Sequence, residues 1–322
     1  MKQFEESLKQ IESELSSLSF PKHPANLYDP LRYFLTLGGK RVRPVLTLMG
    51  ASLFGINPDK ALNAALAVEV FHNFSLIHDD IMDEAPLRRN KPTVHEQWGQ
   101  NVAILSGDVL LVKAYQLLAQ QDPAHLAELL KLFNATAVEV CEGQQMDMDF
   151  EKRSDVSIPE YIEMIRLKTS VLLGCALELG AIVADASLND RKHLYAFGEH
   201  IGIAFQIQDD ILDLFADPEK FGKQVGGDVI VNKKTLLNLK ALEMASGEQL
   251  SELMELATEP DLKRKVARTR EIYEVINVRN SCEEMMQAHY QTAMAALEKV
   301  ERPDEAKNGL ILLADFLMNR EH

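Results

Sequence analysis

The sequence contains little cysteine, and the few residues present are poorly placed for crosslinking. Cys141, Cys175 and Cys282 are odd in number, lie far apart and form no CxxC pair. This pattern argues against a disulfide-stapled fold and against a cysteine-based zinc site. We therefore expect the chain to work in a reducing, cytoplasmic setting.

Long apolar runs are also missing. A membrane-spanning helix needs about 20 mostly apolar residues. The best candidate, residues 171–186, is shorter and carries Glu178. The N-terminal sequence MKQFEESLKQIESEL mixes charged and apolar residues and has no secretory core. We predict no transmembrane segment.

Positive charge is scarce, because the 49 acidic residues outnumber the 34 basic ones and the net charge is −15. Such a chain is not expected to bind nucleic acid or to dock on anionic lipid, since both need a positive surface. The hydrophobic fraction of 46% is typical of a globular protein with a large core. The length of 322 residues permits one large domain or two ordinary ones.

Glycine and proline are sparse, and no strand-like alternation bounded by turn signals is visible. Apolar residues at spacings of three and four predict helices instead. Several of these helices are apolar on most faces, which is typical of helices surrounded by others in a large bundle. We therefore predict an all-α fold. The predicted helices are residues 58–83, 101–120, 124–149, 159–185 with a break near Lys168, 188–215, 234–257, 261–276, 279–299 and 304–319.

The sequence DDIMD ends the helix predicted over residues 58–83. Asp79 and Asp83 lie one turn apart on nearly the same face, and Asp80 lies beside them. Like charges at this spacing repel. Carboxylates that follow a buried apolar segment cost free energy unless a positive group lies next to them.

The same pattern recurs 130 residues later in DDILD, at Asp209, Asp210 and Asp213. A single cluster of this kind can be a solvated helix end, whereas two copies with apolar approaches indicate two arms of one site. Mg²⁺ is a hard cation that binds one or two carboxylates together with phosphate oxygens. The duplication predicts a Mg²⁺–diphosphate site, and a single domain over residues 1–322 because both arms must reach it.

Basic segments alternate with the acidic ones along the chain. GGKRVRP occupies residues 38–44, RRNKP residues 88–92 and NKKT residues 232–235, and Lys168 and Lys223 stand between them. Each segment alone is most often a solvated face or a helix end. Together with metal-binding carboxylates they suit phosphate, which arginine binds in two-pronged fashion and lysine attracts as a point charge.

Two histidines belong to the first aspartate helix. His72 lies two turns before Asp79 on the same face, in line with Ser75, so a role in the site and a role in the core both stay open. His78 forms an HD pair with Asp79, as in some metal-dependent phosphohydrolases. That chemistry needs a further histidine ligand and leaves the second DDxxD unexplained.

The combination of GGKRxRP, HDDxxD followed by RR, KT, and FQxxDDxxD resembles the trans-isoprenyl diphosphate synthases, or polyprenyl synthetases. The resemblance extends from residue 38 to residue 235. It implies an isoprenoid-synthase-type helical bundle around a deep central cavity, usually as a homodimer. It also implies head-to-tail condensation of isopentenyl diphosphate with a C5–C15 allylic diphosphate, with Mg²⁺ as cofactor and three ions when substrate is bound.

The resemblance also assigns expected roles to individual residues. Asp79, Asp83 and Asp209 are the expected Mg²⁺ ligands, and Thr169 and Gln206 are expected to line the carbocation region. The other residues expected to serve catalysis or bind the allylic diphosphate are Asp80, Asp210, Asp213, Arg88, Lys168, Lys223 and Lys233. The residues expected to bind isopentenyl diphosphate are Lys40, Arg43, His72 and Arg89.

Product length in this family depends on bulk below the first aspartate motif. Phe74 and Ser75 lie five and four residues before Asp79, and Phe71 lies eight before it. One aromatic at 74 and a small residue at 75 resemble enzymes that make C15–C20 products. We favour geranylgeranyl diphosphate over farnesyl diphosphate. The alternative is that Phe71 and Phe74 are ordinary core residues.

Some details depart from the family pattern, and two other functions stay open. Asn90 replaces the usual glycine after the arginine pair, and asparagine tolerates the left-handed conformation that a glycine position requires. A class I terpene cyclase is one alternative, although cyclases pair one DDxxD with a different metal motif. A non-catalytic subunit of a heteromeric synthase is the other, although such subunits typically lack one aspartate motif.

Overall fold

The structure is a computed structural model, and it describes residues 2–216 and 225–318. The predicted all-α fold is confirmed. The first helices are α1 (Lys2–Ser17), α2 (Ala25–Thr36), α3 (Val42–Leu53), α4 (Leu62–Met82), α5 (Val94–Trp98), α6 (Gln100–Leu118), α7 (Pro123–Glu151) and α8 (Ile158–Ile165). The later helices are α9 (Val171–Val183), α10 (Leu188–Phe215), α11 (Gly227–Ile230), α12 (Leu236–Met244), α13 (Glu248–Leu256), α14 (Leu262–Val275), α15 (Val278–Glu298) and α16 (Asp304–Met318).

Most helix boundaries agree with the periodicity in the sequence, and the exceptions have local causes. The helix predicted over residues 234–257 is two helices, α12 and α13, because Gly247 takes a left-handed φ of 54° between them. The predicted break near Lys168 is a π-helical turn, Arg166–Ser170, between α8 and α9. In the described residues, strand structure is confined to β1 (Leu87–Arg88) and β2 (Lys91–Pro92), an antiparallel hairpin that the sequence did not predict.

The chain divides into two compact units. The first contains residues 1–136, 172–195 and 300–310, and the second contains residues 137–171, 196–299 and 311–322. The prediction of a single domain stays a prediction.

In the first unit, α4 packs against α3 and α6. Its core-facing residues are fully buried and mostly small, as Ala64, Ala65 and Val68 illustrate. Helix α9 lies unusually close to α3, because a Cβ atom at Gly180 would come within 2.0 Å of the carbonyl oxygen of Thr47. Helix α3 in turn packs against α4, which carries the first aspartate cluster.

In the second unit, α10 supplies a buried apolar stripe with residues at spacings of three and four. Ile203, Ile207, Ile211 and Leu214 lie in one core cluster. The same cluster contains residues of α8, α12, α14 and α15, among them the buried Tyr161. The packing fixes the end of α10, where the second aspartate cluster lies.

Among the helices of the described residues, α6 is long and apolar enough to cross a membrane by length and composition. One such helix is weak evidence for a membrane span, because apolar core helices of soluble proteins meet the same criteria.

Candidate active site

The first aspartate cluster lies at the C-terminal end of α4 and contacts the hairpin that follows it. Arg88 donates from Nε to both carboxylate oxygens of Asp80 at 2.8 Å, and its Nη2 lies 2.7 Å from Oδ1. The same Nη2 lies 3.7 Å from Oδ2 of Asp79. The side chain of Asp80 is 1% exposed, whereas that of Asp79 is 19% exposed and Asp83 is exposed. Asp80 is therefore held by protein, while the side chains of Asp79 and Asp83 are more exposed.

Burial and ion pairing act in opposite directions on this cluster. Desolvation raises the pKa of Asp80, and the hydrogen bond and charge of Arg88 oppose that shift. Desolvation acts to lower the pKa of Arg88. The hydrogen bond to Asp80 and the charges of Asp80, Asp79 and Asp83 outweigh it, so the pKa is raised. Arg88 is predicted as a ligand of the allylic diphosphate, and it also neutralises the carboxylate of Asp80, the most buried of this cluster.

The arginine pair is presented by a tight hairpin turn. Arg89 and Asn90 both have positive φ, 52° and 62°, as two-residue hairpin loops require. The expectation that Asn90 replaces glycine in a left-handed conformation is confirmed. Thr93 closes the base of the hairpin, where its hydroxyl donates to the carbonyl oxygen of Ala85. The hydroxyl of Tyr33 in α2 donates to the carbonyl oxygen of Pro92.

Three of the residues predicted to bind isopentenyl diphosphate lie together in the first unit. Arg43 Nη1 lies 3.1 Å from His72 Nε2 and donates to it, since arginine can only donate. Gly39 lies so close to Arg89 that a Cβ atom there would come within 3.0 Å of Arg89 Nη2. The fourth residue, Lys40, is exposed at the turn that precedes α3.

This cluster concentrates positive charge in a partly buried place. Desolvation lowers the pKa of Arg43 to about 10. Desolvation and repulsion from Arg43, Arg88, Arg89 and Arg41 lower the pKa of His72 well below 6.5. His72 is therefore neutral near pH 7 and acts as an acceptor for Arg43. Such a cluster favours an anion.

His78 points away from the predicted metal ligands. Its Nε2 lies 3.2 Å from the carbonyl oxygen of Ile104 and 3.7 Å from Asp108 Oδ1, both on α6. Gly107 leaves room for the ring, because a Cβ atom there would lie 2.3 Å from Nε2. The HD-type phosphohydrolase interpretation needs this histidine beside Asp79 as a ligand, and these contacts on α6 do not support it.

The predicted chain-length residues differ in their surroundings. Phe71 is 1% exposed and packs edge-on against Phe133, with ring centroids 5.2 Å apart. Phe74 and Ser75 are partly exposed, and the hydroxyl of Ser75 donates to the carbonyl oxygen of His72. The core alternative therefore describes Phe71 better than Phe74.

The second aspartate cluster is anchored by a tyrosine and a backbone amide. Asp210 Oδ2 accepts from the hydroxyl of Tyr161 at 2.5 Å and from the backbone N–H of Leu236 at 3.0 Å. Desolvation raises the pKa of Asp210 to about 7, although the hydrogen bond from Tyr161 opposes the shift. Through the amide of Leu236, Asp210 ties α10 to the NKKT segment that carries Lys233.

Asp213 belongs to a second, more open part of the same cluster. Its Oδ2 accepts from the backbone N–H of Asp228 at 3.0 Å. Desolvation and the charge of Asp228 raise the pKa of Asp213 to about 6, while Lys233 opposes the shift. Asp209, one residue before Asp210, is partly exposed. One cavity of this unit is lined by both polar and apolar side chains, and its polar lining includes Asp210, Asp213, Asp228, Lys233, Thr235 and Tyr273.

The π-helical turn places Lys168 and Thr169. Lys168 Nζ lies 2.6 Å from Asp147 Oδ2 on α7. Gly143 makes the approach of α7 possible, because a Cβ atom there would lie 2.2 Å from the backbone nitrogen of Lys168. Gly202 on α10 likewise abuts Ser170, so that Gln206 lies one helical turn further along α10. Lys223, the remaining predicted residue, lies outside the described residues.

Sequence reasoning missed several residues that hold these groups. Tyr161, Asp147 and Asp228 contact predicted site residues but have no motif of their own. Asp228 ends the segment Gly226-Gly227-Asp228, where the glycine pair was the available signal in the sequence. Tyr161 and Asp147 contact partners 49 and 21 residues away, and nothing local in the sequence indicates such a pairing.

The predicted metal ligands are carboxylates, which suit a hard cation. Asp79, Asp83 and Asp209 offer carboxylate oxygens, which Mg²⁺ prefers and supplements with phosphate oxygens of a substrate. In the described part of the chain, no three His, Cys, Asp or Glu side chains converge on a point that could hold a metal ion.

An all-α protein with two aspartate clusters, each beside its own cations, and a third, partly buried cluster of cations has the groups of a metal-dependent diphosphate-binding protein. The family model for polyprenyl synthetase matches residues 24–276, and the chain belongs to this family. The predicted resemblance is confirmed.

Relatives and solved structures extend over almost the whole chain. A short chain isoprenyl diphosphate synthase of Methanothermobacter thermautotrophicus is 40% identical over 300 residues, 93% of this chain and 92% of the relative. A geranylgeranyl pyrophosphate synthase of Geoglobus acetivorans is 38% identical over 98% of this chain and 97% of its own length. A crystal structure of a geranylgeranyl pyrophosphate synthase matches with a TM-score of 0.94 and 45% identity, over 99% of both chains.

Proposed function

We propose that this chain is a chain-elongating prenyltransferase that condenses isopentenyl diphosphate with an allylic diphosphate and makes geranylgeranyl diphosphate, C20. The observation that carries the proposal is the set of three polar clusters: Asp79–Asp80–Arg88, Asp209–Asp210–Lys233 and Arg43–His72–Arg89. Two clusters combine carboxylates with cations, and the third is cationic. A reaction between two diphosphates, of which one leaves, needs both kinds.

In this proposal Asp79, Asp83 and Asp209 bind up to three Mg²⁺ ions together with the allylic diphosphate. When bound, the ions stabilise the charge that develops on the departing diphosphate. Arg88, Lys168 and Lys233 add positive charge at that group, and Lys223 lies close in sequence to the second cluster. Asp80, Asp210 and Asp213 hold Arg88, the NKKT segment and residue 228 in position.

The second diphosphate, that of isopentenyl diphosphate, is assigned to Lys40, Arg43, His72 and Arg89. Neutral His72 orients Arg43, and the glycine at 39 lets Arg89 lie against the turn before Lys40. Thr169 and Gln206 present oxygens to the carbocation, which an apolar surrounding protects from water. The released diphosphate takes the proton, so no dedicated side-chain base is required.

The proposal includes a homodimer that works in the cytoplasm, and a single domain over residues 1–322. The outward face of α6 supports a dimer, because Leu105 and Val112 are 58% and 56% exposed and Ile104 beside them is 38% exposed. Exposed apolar patches of this kind are typical of protein–protein contacts. The relatives named above support C20 as the product.

The decisive experiment incubates the protein with Mg²⁺, labelled isopentenyl diphosphate and C5, C10 or C15 allylic primers, and sizes the products. We expect label in a C20 diphosphate, loss of incorporation with EDTA, and recovery with Mg²⁺. Asp209→Asn is the matched inactive control. Consumption of primer without isopentenyl diphosphate would favour a terpene cyclase. A lack of incorporation with every primer would overturn the proposal, and activity restored only by a second chain would favour a partner-subunit role.

A further inference from the structure

A buried ion pair lies beneath the cationic cluster of the first unit. Arg41 Nη1 lies 2.5 Å from Glu69 Oε1, and the two side chains are 3% and 4% exposed. Arg41 also donates from Nη2 to the carbonyl oxygen of Leu35 at 3.2 Å. Asn73, fully buried one turn along α4, donates to the backbone carbonyl of Glu69 at 2.6 Å. The Nδ2 of Asn73 also lies 3.4 Å from Glu69 Oε1, so Arg41 and Asn73 both contact this carboxylate.

The pair fixes the turn that carries two proposed ligands of isopentenyl diphosphate. Arg41 lies between Lys40 and Arg43 and immediately precedes α3. It takes a left-handed conformation with φ 47°, after Gly38 at 79° and Gly39 at 151°. A non-glycine residue in this region is strained and persists only when its surroundings hold it. The contact with Glu69 supplies that hold from inside the protein.

Glu69 also acts on the charge of the cluster. Desolvation lowers the pKa of Arg43, and the charge of Glu69 opposes this shift. Desolvation and Arg41 lower the pKa of Arg89, and Glu69 opposes that shift as well. One carboxylate therefore stabilises the charged forms of two neighbouring arginines besides the one it contacts.

We propose that Glu69 is a positioning residue for the binding of isopentenyl diphosphate, and that it acts through Arg41. The inference rests on the proposed function and extends it to residues that touch no substrate. Without the carboxylate, the charge of Arg41 would be buried without a counter-ion, which is strongly unfavourable. The turn then shifts to hydrate Arg41 and moves Lys40 and Arg43 away from the diphosphate.

Positioning and simple electrostatics predict opposite results, so one variant distinguishes them. Glu69→Gln keeps the size and an acceptor oxygen but removes the negative charge. On charge alone, its removal strengthens the positive potential and lowers the KM for isopentenyl diphosphate. If Glu69 positions the turn, the KM rises, and we expect a rise of about tenfold, with the KM for the allylic diphosphate changed less than about twofold.

The matched control is Glu178→Gln, which alters another carboxylate of the same unit. Desolvation raises the pKa of Glu178, and the charged groups that act on it are Arg191, Glu128 and Lys192, none of which belongs to the turn. We expect no selective change in either KM. Circular dichroism and thermal unfolding of both variants show that they are folded. An unchanged or lowered KM for isopentenyl diphosphate in folded Glu69→Gln overturns the proposal.

A double-mutant cycle tests whether Glu69 acts through Arg41. We expect Arg41→Gln, Glu69→Gln and the double variant to raise this KM to the same value within about twofold, because each removes the same contact. A double variant in which the two single effects multiply would show that the residues act separately.

The test of Glu69 can be separated from the test of the proposed function. Wild-type turnover with isopentenyl diphosphate and a primer tests the function. If wild type does not turn over, calorimetric titration of isopentenyl diphosphate alone compares the two proteins. Equal affinity in wild type and Glu69→Gln then rejects the positioning role, and weaker affinity in the variant supports it.

Discussion

Arg88 binds the carboxylate of Asp80 with its Nε and Nη2 atoms at 2.7 to 2.8 Å, while Asp79 lies 3.7 Å from the same guanidinium. Two consecutive aspartates of one motif therefore have different surroundings. Asp80 is almost fully buried and paired with Arg88 at short distance, whereas Asp79 is more exposed and lies farther from that guanidinium.

This difference predicts separate effects of two isosteric variants. Asp80→Asn removes the carboxylate that contacts Arg88 and leaves this half-buried guanidinium with only the more distant Asp79, and we expect a loss of about 2 kcal/mol in the free energy of unfolding. Asp79→Asn abolishes condensation with a much smaller loss of stability. Urea unfolding and primer incorporation measure the two quantities. Equal stability losses in both variants would contradict the assignment of Asp80 as the residue held by protein.

Tyr161 offers a test of how the second aspartate cluster is held. Tyr161→Phe removes the hydroxyl that donates to Asp210, and we expect about 1 kcal/mol lower stability together with reduced kcat, because the NKKT segment is then less well anchored. The matched control is Tyr290→Phe, which removes a similar hydrogen bond to Asp315 elsewhere in the second unit.

The control is expected to lose comparable stability and keep its kcat. If Tyr290→Phe and Tyr161→Phe lower kcat equally, the effect of Tyr161 is general and not specific to the aspartate cluster.

Features that depend on consecutive residues could be predicted from the sequence, whereas contacts between residues far apart in the chain could not. Periodicity located α4 and α10 with their aspartates, because both the apolar spacing and the acidic ends are written in consecutive residues. The turn at Arg166–Ser170 also followed from a local interruption. In contrast, Glu69 and Tyr161 act on residues 28 and 49 positions away.

A single polar residue in an apolar helix has many candidate partners, and only the packing selects one. Phe71 shows the converse problem. Its position on α4 suggested the same role as Phe74, but helix geometry alone does not reveal that Phe133 packs against it. The side of a helix that meets the core depends on its neighbours in space.

The two phenylalanines predict different outcomes for product length. Phe74→Ala is expected to shift the product beyond C20, since it removes bulk from a partly exposed position below Asp79. Phe71→Ala is expected mainly to destabilise the protein, by about 3–5 kcal/mol, because the side chain is fully packed. Chromatography of the dephosphorylated products and thermal unfolding measure these effects. An unchanged product from Phe74→Ala would exclude this residue as the floor.

His72 makes stability depend on pH. In the unfolded chain it gains a proton near its usual pKa of 6.5, whereas in the fold its pKa is well below that value. The unfolded state thus binds more protons, and this contribution to stability is lost as the pH falls below 6.5. One such group gives a slope of up to about 1.4 kcal/mol per pH unit.

We expect His72→Gln to flatten the decline in unfolding free energy below pH 6.5, measured by urea titration at several pH values. Asp210 and Asp213, whose raised pKa values act in the opposite direction, are unchanged in the comparison and cancel. His193→Gln serves as the control. A slope that is the same in wild type and His72→Gln would contradict a neutral His72.

The exposed face of α6 predicts the oligomeric state. Leu105→Glu places a charge in the centre of this face, and burying that charge in a dimer contact is costly. We expect wild type to sediment as a dimer and Leu105→Glu as a monomer with unchanged helical content. Val275→Glu, at a position that is 73% exposed in the second unit, is the control and is expected to remain dimeric. A wild-type monomer at micromolar concentration would reject the dimer, and a dimeric Leu105→Glu would place the contact on another surface.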